Sequence, residues 1–261
     1  MDPDDPGSLA SFEGSSVIVL GELHDNPEHH ALQTRMVRAL KPGAIVFEML
    51  EPRHAAAARG IPRNQKHALE AAFEWEARGW PDFDMYHPIF VAAPQAEIFG
   101  GALSPEKVYR AVGEGAAAVF GDASALFGID QPLPEDELTA RIDLQDVAHC
   151  HAMPAEMLPG MVEAQRLRDA ALARATLEAV AEMRARRTSQ PVVVITGNGH
   201  ARTDWGMPSL LSRAYTAYGK DRLRLATLAQ FEGEAPDSPP YLHWVVTGAP
   251  ERGDPCAAFA K

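Results

Sequence analysis

Two short apolar runs, Val17-Ile18-Val19-Leu20 and Ala44-Ile45-Val46-Phe47, stand on either side of one helical segment, and this spacing constrains the fold most. Runs of this length, rich in Val and Ile and closed by Gly or a polar residue, read as buried strands. Between them residues 32–40 are helically periodic, and Lys41-Pro42-Gly43 stops the helix. Strand, helix and strand make a right-handed βαβ unit, so the two strands pair in parallel. Glu48, directly after the second strand, then lies at the same sheet edge as Glu22 and His24.

The loop leaving the first strand, Gly21-Glu22-Leu23-His24-Asp25-Asn26-Pro27-Glu28-His29-His30, carries two Glu, one Asp and three His. Asn26 is a good N-cap, Pro27 suits the first helical position, and Glu28 favours the positive end of the helix dipole. Ligands of open α/β sheets gather at the carboxyl ends of strands. The loop is therefore the candidate site. His29 and His30 fall in the first helical turn, one toward the site and one toward solvent. Protonation is disfavoured there, so both are expected to be neutral.

Downstream, residues 52–80 read as helical and Gly79-Trp80-Pro81 ends them; Tyr86-His87-Pro88 opens a short helix over 89–93. Ala96-Glu97-Ile98-Phe99-Gly100-Gly101 reads as a third strand, and Ser104-Pro105-Glu106 as a helix start. Pro132, Pro134, Pro154 and Pro159 divide residues 121–160 into short helices and loops. A long amphipathic helix follows over 160–187. Pro191-Val192-Val193-Val194-Ile195-Thr196 is the clearest strand and ends on Gly197-Asn198-Gly199-His200, while 222–228 and 242–246 read as closing edge strands. The expected class is α/β, with a mostly parallel or mixed central sheet flanked by helices and an accessory helical region. One domain spans 1–261, with 1–15 a flexible tail and about 52–95 and 121–187 mainly helical.

A net charge of −12 argues against nucleic acid as a partner, since such binders need Lys/Arg surfaces. Two cysteines, Cys150 and Cys256, are too few for a disulfide framework or a four-Cys zinc site, and Cys150 reads as a small buried hydrophobe. No apolar run approaches the ~20 residues that span a bilayer. The first sixteen residues lack the basic start and apolar core of a signal peptide.

Strand followed by Gly-x-x-His occurs twice, at Gly21–His24 and Gly197–His200, with Phe47-Glu48 between. Together with His29-His30, Tyr86-x-Pro88, His149-Cys150 with Pro154, Gln165-Arg166-x-Arg168-Asp169 and Gly206-x-Pro208, this order resembles the superfamily of Tiki metalloproteases, erythromycin esterases and ChaN-like haem-binding uptake proteins. The ChaN-like branch fits best, over about residues 17–214. The resemblance implies an α/β fold and a role in bacterial haem and iron uptake. It also implies a periplasmic or lipid-anchored address, and ferric haem held by Tyr between two subunits of a homodimer. A membrane haem receptor or transporter is the implied further partner. The chain shows no lipobox Cys near its start.

Tyr86 with His87 is the pair expected to hold haem, because phenolate oxygen is a hard donor suited to ferric iron. The alternative is a Tyr86 ring packed on Trp80 and Phe83; Tyr109 is the next candidate ligand. His149 is expected to border the site. Arg166 either clamps a haem propionate or pairs with Asp169 on the helix surface. Met153, Met157 and Met161 read as a core stripe. A second class of function uses the strand-end cluster itself. There His24, Glu48 and His200 would bind a divalent metal such as zinc or manganese, and Glu22 or Glu48 would act as general base of a peptide or ester hydrolase. A purely structural module explains the gathering of polar groups at three strand ends least well.

Overall fold

The computed structural model describes residues 6–219, 223–254 and 256–257. Chain order begins α1 (Pro6–Leu9), β1 (Val17–Glu22), α2 (Pro27–Leu40), β2 (Ala44–Phe47), α3 (Pro52–Ala57), α4 (Lys66–Ala72), α5 (Phe83–Ala92) and β3 (Glu97–Gly100). It continues α6 (Pro105–Glu114), α7 (Ala116–Phe120), α8 (Ser124–Phe127), α9 (Glu135–Ala148), α10 (Leu158–Ala185) and β4 (Val192–Gly197). Last come α11 (Asn198–Ala201), α12 (Met207–Ala217), β5 (Leu225–Glu232) and β6 (His243–Thr247).

The six strands form one sheet in the order β3-β2-β4-β1-β5-β6, and every pairing is parallel. The protein is thus α/β with a parallel sheet. Alternation along the strands divides the apolar side chains between two cores. Val17, Val19, Ala44, Val46, Val192 and Val194 face the core built with α10 and α12. Ile18, Leu20, Ile45, Phe47, Val193 and Ile195 face the one built with α2 and α5. Burial on both faces is why these strands read as unbroken apolar runs.

Register places the polar residues together. Glu22 pairs with Gly197, Phe47 pairs with Ile195, and the Glu48 amide donates to the Ile195 carbonyl at 3.1 Å. The ends of β1, β2 and β4 are therefore level. Asn26 caps α2 as its sequence suggests, its Oδ1 accepting from the Glu28 amide at 2.9 Å. The helix stops at Lys41, which adopts φ 47° and donates its amide to Val37.

Five expectations change. β1 and β2 run parallel but do not pair with each other, because β4 lies between them. From Pro6 onward the amino-terminal segment is ordered, with Phe12 2% exposed and its ring 4.8 Å from that of His243; residues 1–5 lie outside the described residues. β5 lies inside the sheet between β1 and β6, because β6 covers its far side, so of the two closing strands β6 alone is an edge; Arg222 lies outside the described residues. α5 begins at Phe83, not after Pro88, because Asp82 caps it and burial of Phe83, Tyr86, Ile89 and Phe90 holds the helix through the proline. Finally, Cys150 is not a buried hydrophobe: it forms a disulfide with Cys256, 106 residues away. That separation hides the pair from any local reading.

Candidate functional site

Glu22 closes β1 with its side chain fully buried, and three groups converge on it. His24 Nδ1 lies 2.8 Å from Oε1, the Tyr86 hydroxyl donates to the same oxygen at 2.9 Å, and His30 Nδ1 stands 2.9 Å from Oε2. Burial alone would raise the Glu22 carboxyl, but the bonds from His24 and His30 outweigh it and hold it below the ordinary value. His30 is 1% exposed, and both its ring nitrogens face acceptors, because Nε2 also lies 2.9 Å from the His24 carbonyl. Burial works to lower its pKa, yet Glu22 raises it above the usual histidine value. The expectation of a neutral His30 is therefore corrected: it forms a buried ion pair.

His29 is the neutral member of the pair. Its Nδ1 accepts from the Leu23 amide at 2.9 Å, and its Nε2–H faces Thr247 Oγ1 at 2.9 Å. Burial lowers its pKa. Both histidines are buried, so neither turns to solvent.

The second half of the cluster centres on Glu48. Its Oε2 accepts from Thr196 Oγ1 at 2.6 Å and from the Gly197 amide at 2.7 Å. Its Oε1 lies 3.3 Å from His200 Nε2 and 3.8 Å from His24 Nε2. A Cβ at position 197 would stand 3.1 Å from His24 Nε2, so glycine is what admits the imidazole. On its other side His200 places Nδ1 2.7 Å from Asp169 Oδ1. Burial would lower the His200 pKa, but Glu48 and Asp169 push it up to about 10. Against burial, the facing histidines His200 and His24 hold Glu48 well below the carboxylate range.

Of the three residues expected to hold a metal, Glu48 and His200 are joined directly and His24 lies slightly farther from the same Glu48 oxygen. Among the described residues no three His, Cys, Asp or Glu side chains are grouped to hold a metal. The hydrolase roles are not favoured. The Glu22 side chain has no exposure to solvent, and one Glu48 oxygen is already occupied twice.

Tyr86 belongs to this cluster. Its side chain is fully buried, with the ring 4.1 Å from that of His30 and 4.7 Å from that of Trp75. Burial, then the charge of Glu22, drives its hydroxyl far above the ordinary phenol value. The phenolate that iron ligation calls for is disfavoured there. His87 turns away, its Nε2 2.9 Å from the Arg63 carbonyl. Arg166 is 6% exposed and structural: it bonds Glu163 Oε1 at 2.6 Å and the carbonyls of Ile129 and Gln131. Asp169 pairs with His200, not with Arg166.

Above the cluster opens a cleft of about 980 Å³. Glu48 and His200 form part of its lining, Leu103, Val108, Val112, Met161 and Leu172 supply apolar wall, and Trp80, Tyr109, His149 and Arg168 line it together with the charged side chains of Glu51, Arg53, Glu74 and Arg78. Met161 is thus cleft wall and Met157 is 40% exposed, so the methionine stripe is not core. His149-Cys150-His151 is the turn after α9, with positive φ at Cys150 and His151. His149 Nδ1 donates to the Gln145 carbonyl at 2.7 Å, which fixes the orientation of the ring. Tyr109 is 80% exposed. The Trp80 indole N–H is buried, without an acceptor among the described residues, and its ring lies 5.1 Å from that of His24. Sequence reasoning missed Trp80, Asp169 and Arg168 as site residues. Helical phase could have found two of them, because Gln165, Asp169 and Leu172 share a face of α10 and Arg168 borders it.

The model of the family described as "Haem-binding uptake, Tiki superfamily, ChaN" matches residues 8–211. Among solved structures, the chain is similar to that described as "Cofacial heme binding to ChaN of Campylobacter jejuni". The likeness has a TM-score of 0.63 and 18% identity, and covers 90% of this chain and 89% of that one. More distant likenesses are the type III effector HopBA1 (TM-score 0.47, 15% identity, 94% of this chain and 93% of that one) and the erythromycin esterase mutant EreC H289N (0.44, 11%, 89% and 76%). No curated protein matches. A parallel α/β sheet, polar groups level at three strand ends and a family match over most of the length lead to one assignment: the chain belongs to the ChaN family of haem-binding uptake proteins in the Tiki superfamily.

Proposed function

We propose that this protein binds ferric haem in the cleft, with Tyr109 as the iron ligand, and serves bacterial haem uptake. The observation that carries this reading is the cleft itself: about 980 Å³, with an apolar wall, an exposed tyrosine and a histidine whose Nδ1 is engaged by the Gln145 carbonyl. Bound haem would supply a ferric centre. The chain's part is to offer the Tyr109 oxygen, to place His149 as a second basic donor, and to cover the porphyrin faces with apolar side chains. The Glu22–His24–Tyr86–His30 and Glu48–His200–Asp169 networks brace the strand ends beneath it.

Tyr109, Leu144, Val147 and Met157 are exposed apolar side chains on α6, α9 and the turn before α10. They support haem shared between two copies of this chain. The Cys150–Cys256 disulfide supports an oxidising compartment such as the periplasm, and delivery to a membrane receptor or transporter would follow. No helix among the described residues is long and apolar enough to cross a membrane.

Titration of purified protein with ferric haem tests the reading. The expected result is a saturable high-spin Soret change at a defined ratio, with doubling of mass by light scattering as haem is added. An unsaturable change, equal to that given by an unrelated acidic protein, would overturn it.

A further inference from the structure

Residues 166 and 168 stand about 200° apart around an α-helix. Arg166 therefore faces the protein interior, whereas Arg168 is directed with Met161, Gln165 and Leu172 into the cleft. The other cations there are already matched with acids. Arg53 bonds Glu74 at 2.7 and 2.8 Å and Glu51 at 3.3 Å, and Arg78 pairs with Glu51 at 2.5 Å. Arg168 makes no ion pair or hydrogen bond with any described residue. Trp80, whose indole N–H is buried, lines the same cleft with its ring. A cleft with an apolar wall and one guanidinium that no acid matches calls for a ligand that is flat and greasy over most of its surface and carries an anionic acceptor at one edge.

Resting on the haem reading, we infer that Arg168 holds a carboxylate of the porphyrin and makes this protein selective for the dicarboxylate form over its uncharged esters. A guanidinium meets a carboxylate through two parallel N–H bonds, which fixes the ring's orientation as well as its affinity. Lysine offers a point charge and would keep only part of the effect.

The test is a pair of titrations, ferric haem and its dimethyl ester, followed by Soret absorbance with the wild type, Arg168→Ala and Arg168→Lys. Wild type is expected to prefer the free acid by about tenfold or more, the range of a charge-assisted hydrogen bond. In Arg168→Ala the ratio falls to near one through weaker binding of the acid, with ester binding and thermal stability unchanged; Arg168→Lys lies between. A wild type that binds both forms equally, or an Arg168→Ala that keeps the full preference, overturns the Arg168 assignment and leaves the haem reading standing. No saturable binding of either porphyrin by the wild type overturns the haem reading and this inference together.

Discussion

The Tyr86 hydroxyl donates to Glu22 Oε1 at 2.9 Å from a position with no exposure to solvent. A tyrosine two residues before a proline in the ChaN-like order is an attractive iron ligand on paper. In the fold its proton is committed to a buried carboxylate, and the same carboxylate faces His24 and His30. Tyr86 is part of the scaffold that sets the strand ends.

Tyr86→Phe should therefore cost stability and spare the haem spectrum. Removing one donor from a buried charged acceptor costs about 1–3 kcal/mol. Urea unfolding gives the first number and the Soret band the second. A variant of wild-type stability would mean that the bond to Glu22 carries no weight.

His200 makes stability fall on the alkaline side. Its folded pKa, about 10, lies above the ordinary 6.5, so its contribution is fully present below pH 6.5 and is lost as pH rises through about 10. Melting temperatures between pH 6 and 10.5 should decline in the wild type and stay flatter in His200→Gln, which starts lower. Glu48→Gln, which leaves the imidazolium one carboxylate short, should cost about 3–5 kcal/mol at neutral pH.

His29 acts with the opposite sign. Burial depresses its pKa below the ordinary 6.5, so protonation below that pH favours the unfolded chain, and stability falls as pH drops through and below 6.5. Asparagine can still accept the Leu23 amide, so His29→Asn should lose this acid sensitivity. Melting curves from pH 7.5 to 5.5 decide it; an unchanged slope in the variant would assign the acid loss to other groups.

The Cys150–Cys256 bridge closes a separation of 106 residues and ties the end of the chain to the turn that carries His149. Cys256→Ser should cost about 2–5 kcal/mol. Wild type in excess dithiol should match it, while the variant ignores the reductant. Unfolding midpoints that do not move on reduction would speak against any contribution from the bridge.

The sequence made β1, β2 and β4 plain because burial on both faces leaves apolar runs with no polar interruption. The shared sheet edge of Glu22 and Glu48 followed from the parallel direction of β1 and β2, although the two strands do not pair: each takes its register from β4 between them. Sheet order did not, since the place of β5 depends on β6 covering it. The place of Arg166 was not legible because a motif lists residues without their helical phase, and the two arginines of Gln165-Arg166-x-Arg168-Asp169 face different sides of α10. The burial of Tyr86 was illegible for another reason. Its burial comes from Trp75 and His30, brought to it by separate elements. The disulfide joins residues that no local pattern connects.

In the proposed site ferric haem is bound through Tyr109 in this cleft. Visible spectra of haem-loaded wild type, Tyr109→Phe and Tyr86→Phe decide whether it is. Tyr86→Phe is expected to keep the wild-type Soret and charge-transfer bands, whereas Tyr109→Phe loses them and binds haem more weakly. A Tyr109→Phe spectrum and affinity identical to wild type, or loss of the bands in a folded Tyr86→Phe, would contradict it.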